Sequence, residues 1–158
     1  MQRDTRGMLR GVSTYSVVVA LHIIAAFAAY GLPLTYPLLL PYLRRHHPES
    51  LPGVHAIQYR LNVALTGPGT IVLFAAGVYL ASAHHLWDEP FVIAGLVAIA
   101  IIAVVGGAVI VPATKRLAQL PPDSDAYEAT YGRYLRAEIL LGAIVLGAIF
   151  VMAAKPFS

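Results

Sequence analysis

Between Arg10 and Arg44 the chain carries no Asp, Glu, Lys or Arg. The same holds from Arg60 to Asp88 and from Glu89 to Lys115, and a shorter gap runs from Glu138 to Lys155. A helix needs about 20 apolar residues to cross the hydrocarbon of a bilayer, and each gap is long enough or nearly so. Backbone in lipid must satisfy its own polar groups, which helices do within one segment. The sequence therefore predicts an all-α protein: an antiparallel four-helix transmembrane bundle with proline-kinked helices. Its spans fall at about 13–36, 56–83, 91–113 and 134–154, in one integral membrane domain covering residues 1–158.

Composition leaves little else open. Hydrophobic residues make up 58% of the chain and charged residues 12%, against about 25% charged in soluble domains. The net charge of +3 comes from basic residues scattered at segment ends. That pattern excludes a nucleic-acid face and fits interfacial anchors beside a lipid bilayer. Cysteine is absent, which removes disulfides, thiolate metal sites and thiol redox chemistry. Arg3, Arg6 and Arg10 ahead of an apolar run imitate a signal peptide, with Ala26-Phe27-Ala28 resembling a cleavage site. The run continues through Leu40, well past a signal core of about 7–15 residues, so an uncleaved first helix is expected. Four spans put both termini on one side. That side holds Arg3, Arg6, Arg10 and Lys155, and the other holds Arg44, Arg45, Arg60, Lys115, Arg116, Arg133 and Arg136. Basic residues accumulate inside, which favours both termini outside.

Prolines and glycines punctuate the spans. Pro33, Pro37 and Pro41 recur every four residues. Proline lacks an N–H and clashes with the turn before it, so the first helix is expected to kink or end near Gly31-Leu32-Pro33, with 37–43 running along the interface. Gly67-Pro68-Gly69 should bend span two, and Pro112, after Gly106 and Gly107, span three. Asp125 followed by Glu128 reads as a helix start, whose first third is polar. Ala25 with Ala29, and Ala143 with Gly147, form small-residue stripes suited to close helix contact.

Polar residues at membrane depth are the candidates for function. His22 stands alone in span one; it suits an axial haem ligand, a metal ligand, a proton relay or a helix–helix hydrogen bond. His55, Tyr59, Asn62 and Thr66 share one face of span two, flanked by Gln58 and Arg60. Tyr127, Tyr131, Tyr134 and Glu138 repeat the spacing in the last helix. Both stripes must avoid lipid, so the two faces are expected to meet, with Arg60 or Arg136 near Glu138. Tyr59, Arg60 and Asn62 then suggest a polar pocket for a headgroup, an anion or a porphyrin propionate. His55, Thr66, Tyr131, Tyr134, Arg136 and Glu138 suggest a network that fixes helix register, which is the simpler reading. His46-His47 and His84-His85 lie in loops without a ligand set and read as solvated. His22 and His55 differ in depth by roughly 15 Å or more at 1.5 Å per residue and cannot share one iron. No catalytic constellation and no metal site emerge.

Two segments carry a family resemblance. Ala20-Leu21-His22-Ile23-Ile24 resembles the opening of several small four-helix bacterial membrane proteins. Ile149-Phe150-Val151-Met152-Ala153-Ala154-Lys155-Pro156-Phe157 resembles their closing Met-x-x-Lys-Pro pattern. The basic first loop and a mid-span glycine such as Gly77 match as well. The chain is similar to an uncharacterised family of predicted integral membrane proteins and, more distantly, to HemJ-type protoporphyrinogen oxidases and CopD-type membrane domains. The resemblance implies residence in a bacterial inner (plasma) membrane and a haem b held by His22 and Lys155. The tryptophan-and-glycine stretch of those relatives is replaced here by Ala25-Ala26-Phe27-Ala28-Ala29-Tyr30-Gly31, so no oxidase activity is carried over. Three functions stay open. The first is a non-catalytic accessory subunit that binds other membrane subunits or itself, the second a haem-binding or porphyrin-handling redox protein, and the third a small carrier or channel. The lack of a catalytic constellation favours the first.

Overall fold

The computed structural model describes residues 13–154; Lys155 and the arginines at 3, 6 and 10 lie outside them. Helix α1, Thr14–Tyr30, begins on Ser13, whose hydroxyl accepts the Ser16 N–H at 3.1 Å. At Gly31 and Leu32 the chain breaks, makes a 3₁₀ turn over Pro33–Thr35 and continues as α2, Tyr36–His46. The two arms are bent by 41°. A second 3₁₀ turn, Pro48–Ser50, leads into α3, Leu51–Leu61, and α4, Gly67–Ala83. Then come α5, Pro90–Val105, α6, Val111–Leu117, and α7, Asp125–Ala154. The described residues contain no strand. Pro48–Ala83, Pro90–Leu117 and Asp125–Ala154 are each long and apolar enough to cross a membrane, and the bent α1–α2 pair adds a fourth if it forms one span. This is consistent with a multi-pass membrane protein.

The helix breaks have a common cause. Residues Asn62–Thr66 form a π turn in which the Gly67 N–H reaches the Asn62 carbonyl, five residues back. Gly106–Ile110 repeat it, with the Val111 N–H on the Gly106 carbonyl. Each π turn ends one residue before a residue–proline step, Gly67-Pro68 or Val111-Pro112. A proline ring collides with the carbonyl four residues earlier, here that of Ala64 or Ala108. Widening the preceding turn accommodates the ring without ending the helix. The disturbance therefore lies ahead of each proline and not at Gly67-Pro68-Gly69 itself.

One boundary differs from the sequence reading: the helix containing span two starts at Pro48 instead of 56, because Leu51 and His55 are both fully buried and its first turns belong to the core. The 37–43 stretch belongs to the second arm of the bent helix, which buries Tyr36 and Leu40. Helix α7 starts at Asp125 as expected, and Ser124 caps it, its hydroxyl accepting the Tyr127 N–H at 3.2 Å.

Helices α1 and α4 pack antiparallel: Tyr15 meets His84 edge-on, His22 lies against Gly77, and Ala29 against Gly69. A Cβ on Gly69 would stand 3.0 Å from that of Ala29, the close approach that small residues permit between membrane helices. Ala25 and Ala29 are buried there, whereas Ala143 and Gly147 of the other small-residue stripe face outward. The core concentrates where α2, α3, α6 and α7 converge, around Leu40, Leu51, Leu117 and Tyr127. The outside is oily: Phe27 is 79% exposed and Leu38 81%. Ile24, Ile71, Val104 and Phe150 are exposed as well, a surface that lipid covers at no cost and water does not.

Candidate functional site

Helices α3 and α7 bring their polar faces together through a continuous chain of side chains. The Gln58 amide nitrogen donates to the Tyr134 hydroxyl at 3.2 Å. Its oxygen then faces His55 Nδ1 at 2.7 Å and accepts from it. That fixes the tautomer: Nδ1 carries the proton, and Nε2 accepts from the Tyr127 hydroxyl at 3.0 Å. The Tyr134 hydroxyl proton is left for the Glu138 carboxyl, one turn further along α7. All five residues are buried, and buried polar groups of this kind rigidify a structure when every member is satisfied. Tyr131 stacks on Tyr127 at 5.7 Å and takes the Arg44 guanidinium over its ring at 5.0 Å. Arg44 also pairs with Glu128 at the exposed end of this cluster.

Glu138 ends the chain at a cavity of about 250 Å³. Tyr30, Asn62, Thr66, Gly107 and Gly142 line it with Glu138. All three irregular turns reach this space: Pro33 from the bent arm, Asn62, Thr66 and Gly67 from one π turn, and Gly106, Gly107, Ile110 and Val111 from the other. Glu138 lies about 20 Å from the start of α7 at 1.5 Å per residue, just inside the apolar stretch of that helix. Gly106 and Gly107 line the cavity too, and a Cβ on either would meet nothing within 4 Å. The Asn62 amide nitrogen is buried and has no hydrogen-bond partner. Glu138 forms no ion pair among the described residues. Close by, the Tyr30 hydroxyl bonds Thr70 at 2.7 Å and the Thr66 hydroxyl donates to the Ala29 carbonyl at 3.2 Å, tying α1 to α4.

The residues nominated from sequence separate into distinct places. His55, Tyr131, Tyr134 and Glu138 belong to the α3–α7 cluster, while Asn62 and Thr66 line the cavity. Arg60 is exposed, and the exposed Arg136 donates to the Gly132 carbonyl at 3.0 Å. Neither arginine stands by Glu138, a correction explained by their helix faces: both point away from the α3–α7 seam. Tyr59 is half-buried and outside the hydrogen-bond chain; Gln58, read as a flanking residue, takes its place. At about 100° per residue Gln58 sits about 60° to one side of His55 and Tyr59 about 40° to the other, and α7 packs on the Gln58 side. Sequence spacing could not tell which shoulder of the stripe α7 would cover. His47 pairs loosely with Glu49 at 3.5 Å, and no group of three or more potential ligand residues gathers for a metal among the described residues.

The haem implied by the family resemblance fits these residues poorly. The His22 ring lies in the α1–α4 seam on Gly77, where a Cβ would come within 3.3 Å of it, and its Nδ1 is buried without a partner. The seam is closed a turn away by Ala25 and Ala29 against Gly69, which leaves no slot for a macrocycle. Asn62, Tyr59 and Arg60 sit eleven or more residues before Leu73, the α4 residue whose backbone His22 approaches, roughly 16 Å along the helix. They cannot orient the propionates of a porphyrin on His22. Lys155 lies outside the described residues. No protein-family model, curated protein or solved structure matches the chain.

Proposed function

We propose that the chain is an antiparallel four-helix integral membrane protein that binds a small organic cation in its interhelical cavity and carries it across the bilayer. The observation behind this reading is Glu138, a buried carboxyl without a cationic partner among the described residues, at a cavity bordered by one helix bend and two π turns. An ionised group at that depth requires compensation by a proton or a cation. The unpartnered Asn62 amide offers a donor to an acceptor atom on the same ligand. Irregular helices around an interior site are a recurrent arrangement in transporters, and π turns recur at functional sites. Both termini on one side of the membrane follow from four spans.

The test is potential-driven uptake of radiolabelled ethanolamine, which at neutral pH carries an ammonium donor and a hydroxyl oxygen acceptor, into proteoliposomes. Wild type should exceed empty vesicles, and Glu138→Gln should lower uptake at least tenfold, since a hydrogen-bonded charge contributes about 1.5–3 kcal/mol and 1.4 kcal/mol is a factor of ten. Equal uptake by the two proteins, or none by wild type, refutes the reading. Co-purification with other membrane subunits and no uptake would instead favour the accessory role, because exposed faces such as that bearing Phe27 and Ile24 serve lipid and a partner equally well.

A further inference from the structure

A second cavity, of about 350 Å³, opens at the other end of the polar cluster. It lies between α2 and α7 and is lined by Pro41, Arg44, Arg45, Tyr131 and Leu135. We propose that it binds a phosphate group, that of an anionic phospholipid headgroup. This rests on the membrane residence of the chain but not on any role for the Glu138 cavity.

Three observations converge. Two guanidinium groups face one space, and only Arg44 has an acidic partner among the described residues. Arg44 spends one nitrogen on Glu128, and a guanidinium has five N–H donors in a planar fork. Counting Glu128 against the two arginines, the site keeps one net positive charge. The second observation is the Tyr131 ring, which lines the cavity and carries the Arg44 guanidinium 5.0 Å over its face. The ring holds that guanidinium at the cavity wall, where the donors not spent on Glu128 can meet phosphate oxygens. The third observation selects lipid over a free anion. Leu38, Tyr42 and Arg45 fall at i, i+4 and i+7, on one face of α2, and all three are exposed. Arg45 thus tops an apolar strip that leads down α2, with Pro41 and Leu135 as the floor of the cavity. A phosphate held at the top of this strip places its acyl chains along Leu38 and Tyr42. Lipid phosphates are the anions found at that depth, and basic residues near the surface attract anionic headgroups.

The experiment measures phosphatidylglycerol retained over phosphatidylcholine by the full chain purified from mixed micelles, quantified by native mass spectrometry. Wild type should prefer phosphatidylglycerol. Arg45→Gln should weaken that preference about fivefold, the value of one basic residue near an anionic surface. Tyr131→Phe keeps the ring under Arg44 and should leave the preference intact, whereas Tyr131→Leu removes the ring and should weaken it. Lys115→Gln makes the same charge change outside the cavity and should leave the preference intact. A second arm adds excess inorganic phosphate. Displacement of the lipid would identify the free anion as the occupant, and retention would identify the lipid headgroup. The proposal falls if wild type shows neither lipid preference nor phosphate binding, if Lys115→Gln acts as strongly as Arg45→Gln, or if Tyr131→Leu has no effect. Each of these results is separable from loss of cation uptake, which reads only the Glu138 cavity.

Discussion

Gln58 holds the α3–α7 cluster together, and replacing it tests that claim directly. Gln58→Leu keeps the approximate volume of the side chain and deletes both of its hydrogen bonds, the 2.7 Å contact with His55 and the 3.2 Å contact with Tyr134. Gln58 is 1% exposed and His55 and Tyr134 are 0%, so water cannot replace the lost partners. In water-soluble proteins each buried group orphaned in this way costs about 1–3 kcal/mol. Between membrane helices the measured values are smaller, averaging about 0.6 and reaching about 1.7 kcal/mol, because the unfolded segments also find partners in the membrane. The cluster lies in the polar first part of α7 and is fully enclosed, so the upper part of the membrane range applies, and two bonds give about 2–3 kcal/mol. Reversible unfolding in mixed micelles measures the loss. Tyr134→Phe in the same background completes a double-mutant cycle, whose coupling should be about 0.5–1.5 kcal/mol. Tyr59→Phe, one residue further on but outside the chain of bonds, should change stability by less than about 0.5 kcal/mol. If Gln58→Leu unfolds within about 0.3 kcal/mol of wild type, or if the cycle shows no coupling, the polar chain is not what fixes α3 on α7.

Glycines separate packing from propensity. Gly69→Ala sets a Cβ 3.0 Å from Ala29 Cβ and 3.5 Å from the Ala25 carbonyl; forcing the α1–α4 seam apart should cost about 1–3 kcal/mol, exceeding the helix-propensity gain of at most about 1 kcal/mol. Gly53→Ala meets nothing within 4 Å and should stabilise by about half a kcal/mol in the same unfolding assay. Gly107→Leu adds a large side chain at the cavity lining, so it should lower cation uptake while shifting the unfolding midpoint little; unchanged uptake would separate transport from that space.

The number and rough position of the apolar helices were legible because charge-free gaps report directly on what lipid tolerates. The polar faces of α3 and α7 were legible for the same reason, since His55 and Glu138 recur at helical spacing with other polar residues. What the sequence did not disclose depends on rotation about a helix axis. Gln58 and Tyr59 are neighbours on opposite shoulders of one stripe, and only the placement of α7 decides between them. Arg60 and Arg136 were expected near Glu138 on charge complementarity, yet both side chains lie on faces turned outward, where a long basic chain reaches headgroups or water more cheaply than the interior. The Arg44–Glu128 pair joins residues 84 positions apart and has no local signal at all. Proline positions predicted bends, but the form of the bend, a widened turn ending just before each proline step, depends on how the backbone relieves a clash.

That relief connects the fold to the site. Pro68 and Pro112 cannot donate to the carbonyls of Ala64 and Ala108, and each π turn shifts the bonding to five residues back. Irregular backbone at membrane depth persists only where protein covers it or where it lines a water-filled space. Both π turns and the Pro33 bend border the same cavity, so one space can serve the unsatisfied groups of three helices. A carboxyl placed there can be hydrated or paired in a way it could not be against lipid. The three prolines therefore do more than bend helices: the irregular turns beside them border the interior on which Glu138 stands. Pro68→Ala and Pro112→Ala together should restore regular α turns and lower cation uptake; unchanged uptake would separate the π turns from the site.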